Sequence, residues 1–190
     1  MTRGLRRARA EVVNVVATAD LKQPIDLMRV SELENIIYDQ SKYQGRVAYF
    51  KSPHMEGKVT IFSTGKLISI GTRSVQKAEK ELEAAVTHLV ENGLAKRVKV
   101  VVRVRNMVVS LDMGHAIDIE GLYSRIPNLV YEPEQFPAAV WRPTSVPGAT
   151  VLLYSNGKLI IVGLVQTDRI SRIMEELEHS SASPSEHIQD

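Results

Sequence analysis

The 190-residue sequence contains no cysteine, which excludes disulfides, thiol catalysis and thiolate metal sites and favours an intracellular protein. Its five histidines include no pair at the i, i+4 spacing typical of metal ligands, so we expect no metal and no other cofactor. No run of about 18 apolar residues is present, and we therefore expect no membrane span. Only 5% of the residues are aromatic, and the net charge of +2 permits an anionic partner without requiring one. Composition alone does not separate an enzyme from a binding module.

The most informative feature of the sequence is a segment that occurs twice. Residues 60–71, TIFSTGKLISIG, return at 152–163 as LLYSNGKLIIVG, a constant 92 positions later. Each copy has two apolar runs around a Gly-Lys pair, which is typical of a β-hairpin. A repeat at about half the chain length predicts an internally duplicated fold.

The duplication extends over most of the chain. The first predicted strand, 11–20, has its counterpart at 104–112, again 92 positions later. Each half is predicted to contain a strand, a short helix, four more strands and a long helix with an apolar stripe. The predicted short helices are 24–34 and 116–125, the later strands include 46–51 and 138–142, and the long helices are 74–92 and 167–179. These elements predict an α+β fold with about ten antiparallel strands.

Four regions are expected along the chain. They are a basic arm (1–10), a first repeat (11–93), a second repeat (94–179) and a Ser-rich tail (180–190). We expect the arm and the tail to be disordered. The spacing between the repeats becomes 93 at Tyr43 and Phe136, which predicts a one-residue insertion in one half.

Alternation along the predicted hairpins leaves apolar side chains on both faces of the sheet. One set is predicted to face the helices: Ile61, Leu67, Leu153, Leu159 and Ile161. The other set has no predicted helix to cover it: Val16, Thr60, Phe62, Ile68, Ile70, Val108, Leu152, Tyr154, Ile160 and Val162. An apolar patch of this extent is typical of a binding surface. A sandwich or a homodimer that buries this face is the structural alternative.

Polar, aromatic and basic residues frame the uncovered apolar face. Asn14 and Asn106 occupy equivalent positions in the first strands of the two halves. Aromatic residues occur as the pairs Tyr43 with Phe62 and Phe136 with Tyr154, and basic residues accompany them at Lys42, Lys66, Arg142 and Lys158. The minor groove of AT-rich DNA is a nearly two-fold ligand whose floor offers only acceptors at A·T pairs, so it suits such a surface. Aromatic wedges can unstack base steps while basic side chains hold phosphates.

Five segments, VVNVVAT, FSTGKLISIG, VRNMVVSLD, YEPEQFP and LYSNGKLIIVG, make the chain resemble archaeal-type TATA-binding proteins over about residues 11–179. The resemblance implies a saddle of two pseudo-symmetric halves, with a curved ten-stranded antiparallel sheet on the minor groove and helices on the convex face. It also implies a general transcription initiation factor, not an enzyme, and this family is itself a standard example of DNA kinking by inserted side chains. Such a factor is expected with the genome, in the nucleoid-containing cytoplasm or in a eukaryotic nucleus.

The resemblance assigns a role to each group of framing residues. The family's central asparagines fall on Asn14 and Asn106, and its intercalating aromatics fall on Tyr43, Phe62, Phe136 and Tyr154. Its apolar floor falls on Val16, Ile68, Ile70, Val108, Leu152, Ile160 and Val162, and its phosphate contacts fall on Lys42, Lys66, Arg142 and Lys158. The loop with Glu132 and Glu134 resembles the stirrup that binds transcription factor B, through which RNA polymerase is recruited.

Several positions depart from the family pattern. Tyr43 and Tyr154 stand where the family has Phe, and a phenol is costlier to bury between bases. Ile70 and Val162 stand where the family usually has Thr. In the first half the stirrup lacks its usual Pro, and Tyr49 aligns with Arg142, where a basic residue is usual. These changes bear on affinity and sequence preference more than on the fold.

Three alternatives stand beside this interpretation. One is a paralogue of the family with weak or altered DNA specificity that acts mainly as a protein-interaction module. Another is a duplicated helix-on-sheet module that binds a small ligand or a protein. An enzyme is the third, but pairs such as Asp20 with His54 do not recur, and S-x-G-K lacks the spacing of a phosphate-binding loop.

Overall fold

The computed structural model describes residues 9–181, which contain ten β-strands and four α-helices. In chain order these are β1 (Arg9–Asp20), α1 (Leu27–Val30), β2 (Ile36–Tyr38), β3 (Val47–Phe50), β4 (Lys58–Phe62), β5 (Lys66–Thr72), α2 (Val75–Glu91), β6 (Arg103–Asp112), α3 (Ile119–Tyr123), β7 (Leu129–Val130), β8 (Ala138–Trp141), β9 (Thr150–Tyr154), β10 (Lys158–Leu164) and α4 (Arg169–Ser181). Of the predicted arm and tail, residues 9–10 belong to β1 and residues 180–181 to α4, and the rest lie outside the described residues. Within the described range, no helix is long and apolar enough to cross a membrane.

The chain forms two compact units. The first, residues 12–107, has the strand order β2-β3-β4-β5-β1, and the second, residues 9–11 with 108–181, has the order β6-β10-β9-β8-β7. Within each unit the hairpins are antiparallel, with Ile61 opposite Leu67 in the first and Leu153 opposite Leu159 in the second. The predicted α+β class, the duplication and the ten antiparallel strands are confirmed.

The core of each unit lies on one face of its sheet. The five residues predicted to face the helices, Ile61, Leu67, Leu153, Leu159 and Ile161, are at most 1% exposed. Helix α2 packs on β4 and β5 and buries Ala78, Leu82, Ala85, Val86 and Leu89, which are the apolar stripe seen in the sequence. Its predicted N-cap is correct, because Ser74 Oγ accepts from Lys77 N at 3.2 Å. The alternating pattern therefore assigned the strand faces correctly.

The Gly-Lys turns are fixed by backbone contacts as well as by turn geometry. Gly65 and Gly157 have φ values of +84° and +90°, in the left-handed region that favours glycine. A Cβ atom added to Gly65 would lie 2.0 Å from Gln23 O, and one added to Gly157 would lie 1.9 Å from His115 O. In return, Gly65 O accepts from Leu21 N and Gly157 O from Met113 N, at 2.9 and 3.0 Å. Each hairpin is thereby tied to the segment that follows the first strand of its repeat.

The short helices are shorter than predicted. Helix α1 begins only after Asp26, whose side chain accepts from Met28 N and Arg29 N, and it ends at Val30. Helix α3 likewise begins after Asp118, whose Oδ1 accepts from Gly121 N at 3.0 Å. The capping carboxylate sets the start of each helix, a signal that the apolar pattern did not contain.

Candidate nucleic-acid interface

In the first repeat, the predicted floor residues lie side by side on the face opposite the core. Strand pairing places Val16 opposite Ile70, and Ile68 opposite both Thr18 and Thr60. Val16 and Ile68 are half-buried, and Ile70 is 38% exposed. The open face is therefore apolar and accessible in this unit, as predicted.

The second repeat presents the same arrangement. Ile160 lies opposite Leu152, which is also opposite Val140 on the next strand, and Val162 lies opposite Thr150. The predicted floor residues Val108, Leu152, Ile160 and Val162 are all half-buried. Together with the floor of the first repeat, these residues are called the open faces below.

The amide of Asn14 has a fixed orientation. Its Oδ1 accepts from Gly71 N at 3.0 Å, and this N–H requires an acceptor, so the side-chain oxygen must face Gly71. The Asn14 NH₂ group is left as a donor, the kind of group that acceptors on the floor of a groove require. Asn106 holds the equivalent position of β6 and is half-buried.

The four predicted aromatic wedges occupy two kinds of position. Phe62 and Tyr154 end β4 and β9 and are half-buried, opposite Val47 and Ala138. Tyr43 and Phe136 lie in the loops that precede those partner strands, and they are 68% and 40% exposed. Neither predicted pair is stacked: within residues 9–181 the ring stacking joins Phe50 and His88, with centroids 5.0 Å apart.

The two stirrup loops, 39–46 and 132–137, differ in length and in backbone. Tyr43, Gln44 and Gly45 have φ values of +49°, +56° and +67°, three consecutive left-handed residues. The spacing between repeats is 93 at Tyr43 and Phe136 but 91 at Val47 and Ala138, the first residues of β3 and β8. The single insertion predicted from the sequence is therefore incomplete, since the first stirrup also carries two extra residues after its aromatic.

The predicted equivalence of Tyr49 and Arg142 is wrong. Lys51 N donates to Asn35 O at 3.0 Å, and Arg142 N donates to Asn128 O at 3.3 Å, so Lys51 is the counterpart of Arg142. The extra stirrup residues shift the register by two positions, which the gapless alignment did not include. Lys51 Nζ donates to three carbonyl oxygens of its own loop, those of Met55, Glu56 and Gly57, at 2.6, 2.9 and 2.5 Å.

Tyr49 instead lies on the open face of the first repeat, opposite Thr60. Burial and the neighbouring Tyr43 raise the pKa of the Tyr49 phenol. The Lys58 ammonium lies 4.6 Å from the centroid of its ring, within the range of a cation–π interaction. An aromatic side chain with a cation on its face therefore extends the open face toward the edge of this unit.

The four predicted phosphate-binding residues, Lys42, Lys66, Arg142 and Lys158, are all exposed. Lys66 and Lys158 begin β5 and β10 directly after the glycine turns. Lys42 forms an ion pair with Asp39 at 3.6 Å, so part of its charge is already compensated. Hydrogen bonds from Lys22, with the added charge of Lys66, lower the pKa of the nearby Asp20. The edge of the first repeat near Lys66 is thus strongly cationic.

Glu132 and Glu134 are exposed in the second stirrup loop. The loop is closed locally, since Glu132 O accepts from Gln135 N at 2.9 Å and from Phe136 N at 3.0 Å. Both carboxylates are thereby presented to solvent beside the Phe136 wedge.

The interpretation of the sequence missed a further set of basic residues near Lys66. Lys99, Arg103 and Arg105 line a cavity together with Lys22 and Lys66. The signal was present as basic residues at alternating positions in the segment KRVKVVVRVR, 96–105. The segment was interpreted only as the approach to a strand.

Two repeated units, each with an accessible apolar sheet face, an asparagine, two aromatics and a basic edge, define a duplicated protein that binds its ligand on a sheet surface. The family model of "Transcription factor TFIID (or TATA-binding protein, TBP)" matches residues 9–91 and 101–178. The chain belongs to the TATA-binding protein family, a family of general transcription initiation factors that bind promoter DNA.

Individual relatives agree with this assignment. The chain is 38% identical over 166 residues to the TATA-box-binding protein of Cenarchaeum symbiosum, covering 87% of this chain and 90% of that protein. It is 31% identical over 172 residues to the TATA-box-binding protein of Pyrococcus horikoshii, covering 88% of each chain. The solved structure of the Methanococcus jannaschii protein matches with a TM-score of 0.81 at 26% identity, covering 91% of this chain and 98% of that one.

Proposed function

We propose that this chain is a DNA-binding factor without enzymatic activity, which uses its open faces to bind the minor groove of AT-rich promoter DNA. The observation that carries the proposal is the pairing of two apolar floors, one in each unit, with an asparagine amide oriented as a donor. Asn14 supplies that donor in the first repeat because its Oδ1 is occupied by Gly71 N. The exposed cations at the edges supply the phosphate contacts that such a complex needs.

The preference for A·T pairs follows from the chemistry of the floor. At A·T pairs the minor groove offers acceptors only, whereas each G·C pair adds the protruding guanine amino group. Ile68 and Val16 of the first floor, and Ile160 and Leu152 of the second, have no polar atom that can accept from this amino group. A G·C pair against them would bury an unsatisfied donor, at a cost of about 1–3 kcal/mol.

DNA bending is assigned to the aromatic residues. Phe62 and Tyr154 are held at strand ends, where their backbone is fixed by the hairpin, while Tyr43 and Phe136 approach from the stirrups. Insertion of such side chains between base steps unstacks the bases and kinks the duplex. The bend would bring more of the groove against the two floors.

Assembly of the transcription complex is assigned to the second stirrup. Glu132 and Glu134 are exposed beside Phe136 and offer an acidic contact to a basic surface of transcription factor B. RNA polymerase would then be recruited indirectly, through that factor. The chain would act with the genome, in the nucleoid-containing cytoplasm or, in a eukaryote, in the nucleus.

Fluorescence anisotropy with a TATA duplex and a GC-substituted duplex tests the proposal. We expect the TATA duplex to bind roughly 100-fold more tightly or better, which lies at the lower end for specific DNA-binding proteins. Ile68→Glu should abolish binding, because it places a carboxylate on the floor. Met28→Glu makes the same charge change at an exposed position of helix α1 and should bind like the wild type.

Equal affinity for the two duplexes would remove the sequence-specific function. Binding of transcription factor B without any DNA binding would favour the paralogue that acts as a protein-interaction module. A stable homodimer that dissociates when the TATA duplex is added would show that a second copy covers the open faces in the absence of DNA.

A further inference from the structure

A basic cavity adjoins the open face of the first repeat. It has a volume of about 490 Å³, and its floor includes Phe62 and Ile68. Five cationic side chains line it: Lys22, Lys66, Lys99, Arg103 and Arg105. Lys66 is one of the predicted phosphate contacts, whereas nothing in the sequence interpretation or the family assignment gave a role to the other four.

The segment that carries three of these cations is held in place by specific contacts. Gln23 and Lys96 form a reciprocal pair, with Gln23 Nε2 donating to Lys96 O at 2.9 Å and Lys96 N donating to Gln23 Oε1 at 3.0 Å. Farther along, Arg105 Nε donates to Thr18 Oγ1 at 3.0 Å. The segment is therefore anchored at both ends, and Lys99 and Arg103 lie between the anchors.

The charges in the cavity are not balanced. Asp20 is the acidic residue among its lining side chains, and it is engaged by Lys22 at 2.9 Å. Within residues 9–181, Lys99, Arg103 and Arg105 form none of the ion pairs that the structure contains. The Arg105 guanidinium uses its Nε for Thr18 and keeps its terminal nitrogens available. The cavity is therefore arranged to accept an anion.

The duplication did not copy these charges. The residues 92 positions before Arg103 and Arg105 are Glu11 and Val13, in strand β1. The two arginines are thus an addition to the common plan of the repeats and not a consequence of it. A structural role in the strand would not require them, since Glu and Val occupy the matching positions.

We propose that this basic cavity binds the phosphodiester backbone of the DNA whose minor groove lies on the first open face, through Lys99, Arg103 and Arg105. Phe62 and Ile68 belong both to the cavity floor and to the assigned base contacts, so a duplex on this face brings its backbone to the cavity. The inference rests on the proposed function, because it requires a duplex at that face. Guanidinium groups are well matched to phosphate oxygens, and each contact releases condensed counterions.

The test is the salt dependence of TATA-duplex affinity, measured by anisotropy for the full chain. Arg103→Gln with Arg105→Gln should reduce the slope of log affinity against log salt by about 2 and weaken binding roughly tenfold or more near 0.1 M salt. Lys80→Gln with Arg172→Gln removes the same charge from exposed helix positions and should leave the slope unchanged. Arg103→Lys with Arg105→Lys should restore the wild-type slope.

The outcomes separate this inference from the function on which it rests. If the wild type shows no AT preference, the proposed function fails. If the wild type prefers AT-rich DNA but the double glutamine variant keeps the wild-type slope, only the cavity assignment fails. A variant that keeps this slope but loses affinity for transcription factor B would assign the cavity to an acidic protein segment. If the double variant does not fold, Lys99→Gln is measured instead, and an unchanged slope there overturns the proposal.

Discussion

The two repeats agree where the backbone is constrained and differ where it is free. Both use a left-handed glycine to press a hairpin turn against the segment after the first strand. They differ in the stirrups, where the first repeat has two extra residues, and at Lys51 and Arg142, which share a position but not a set of contacts. The shared features maintain the fold of each unit, while the differing ones lie where DNA and protein partners are proposed to bind.

The turn glycines should show the largest effect on stability and should affect both repeats alike. Gly65→Ala and Gly157→Ala each combine a left-handed φ with a Cβ clash against a backbone carbonyl, so we expect a loss of roughly 3 kcal/mol or more. Gly93→Ala and Gly114→Ala are matched controls, because both have positive φ but no atom within 4 Å of the new Cβ.

For these controls we expect a loss of about 1 kcal/mol, from backbone strain alone. Urea denaturation measures both pairs. Equal losses for the turn glycines and the controls would show that the carbonyl contact does not constrain the hairpin.

The wedges should contribute unequally to DNA bending. Phe136→Ala should reduce the bend by roughly 20° or more, since one inserted wedge accounts for a kink of at least that size. Tyr43→Ala should reduce it less, because its phenol is 68% exposed on a left-handed loop and is costly to desolvate. Tyr123→Ala, an exposed tyrosine of helix α3, serves as the control.

Fluorescence energy transfer between the ends of a labelled duplex reports the bend. The asymmetry is contradicted if Tyr43→Ala and Phe136→Ala have the same effect. An increased bend in Tyr43→Phe would support the cost assigned to the phenol.

Lys51 and Arg142 should separate stability from DNA binding. Lys51→Met removes the donor for three loop carbonyls, and we expect it to lower the free energy of unfolding by about 1–2 kcal/mol with little change in the salt slope of DNA binding. Arg142→Met should leave stability unchanged and reduce the slope by about 1. The two variants, compared by denaturation and by anisotropy over a salt series, exchange their effects if the assignment is reversed.

The smallest effect is expected from Glu176, which binds the loop before β9. Burial raises the pKa of Glu176, but hydrogen bonds from Ser145 and Thr144 outweigh it, and the pKa lies below the ordinary value. The stabilisation is therefore fully present above the ordinary glutamate pKa and is lost as pH falls through the lowered one.

Glu176→Gln should cost about 1 kcal/mol or less at pH 7, and the difference from the wild type should shrink in acid. Thermal melts between pH 3 and pH 7 measure it, with Glu175→Gln, an exposed neighbour on the same helix, as the control. A difference that grows toward low pH would have the wrong sign for a lowered pKa.

The faces of the strands were predictable because burial alternates with a period of two, and Ile61 and Phe62 already separate core from open face in the sequence. The equivalence of Lys51 and Arg142 was not, because it depends on which carbonyl each backbone N–H reaches. A change in loop length moves residues by positions that no periodicity records.

The basic cavity was missed for a related reason. Alternating basic residues at 96–105 suggest only an exposed strand face, and their convergence on Thr18 depends on pairing between distant segments. The fixed amide of Asn14 also needed the position of Gly71, which lies 57 residues away in the chain.

The central claim is that the open faces read the minor groove of A·T pairs, and substitution of inosine tests it most directly. An I·C pair lacks the minor-groove amino group, as A·T does, but its major groove resembles that of G·C. We predict that a duplex with every A·T pair of the TATA site replaced by I·C binds within roughly tenfold of the original, while the G·C duplex loses roughly 100-fold or more. An I·C duplex that binds as weakly as the G·C duplex would contradict the claim.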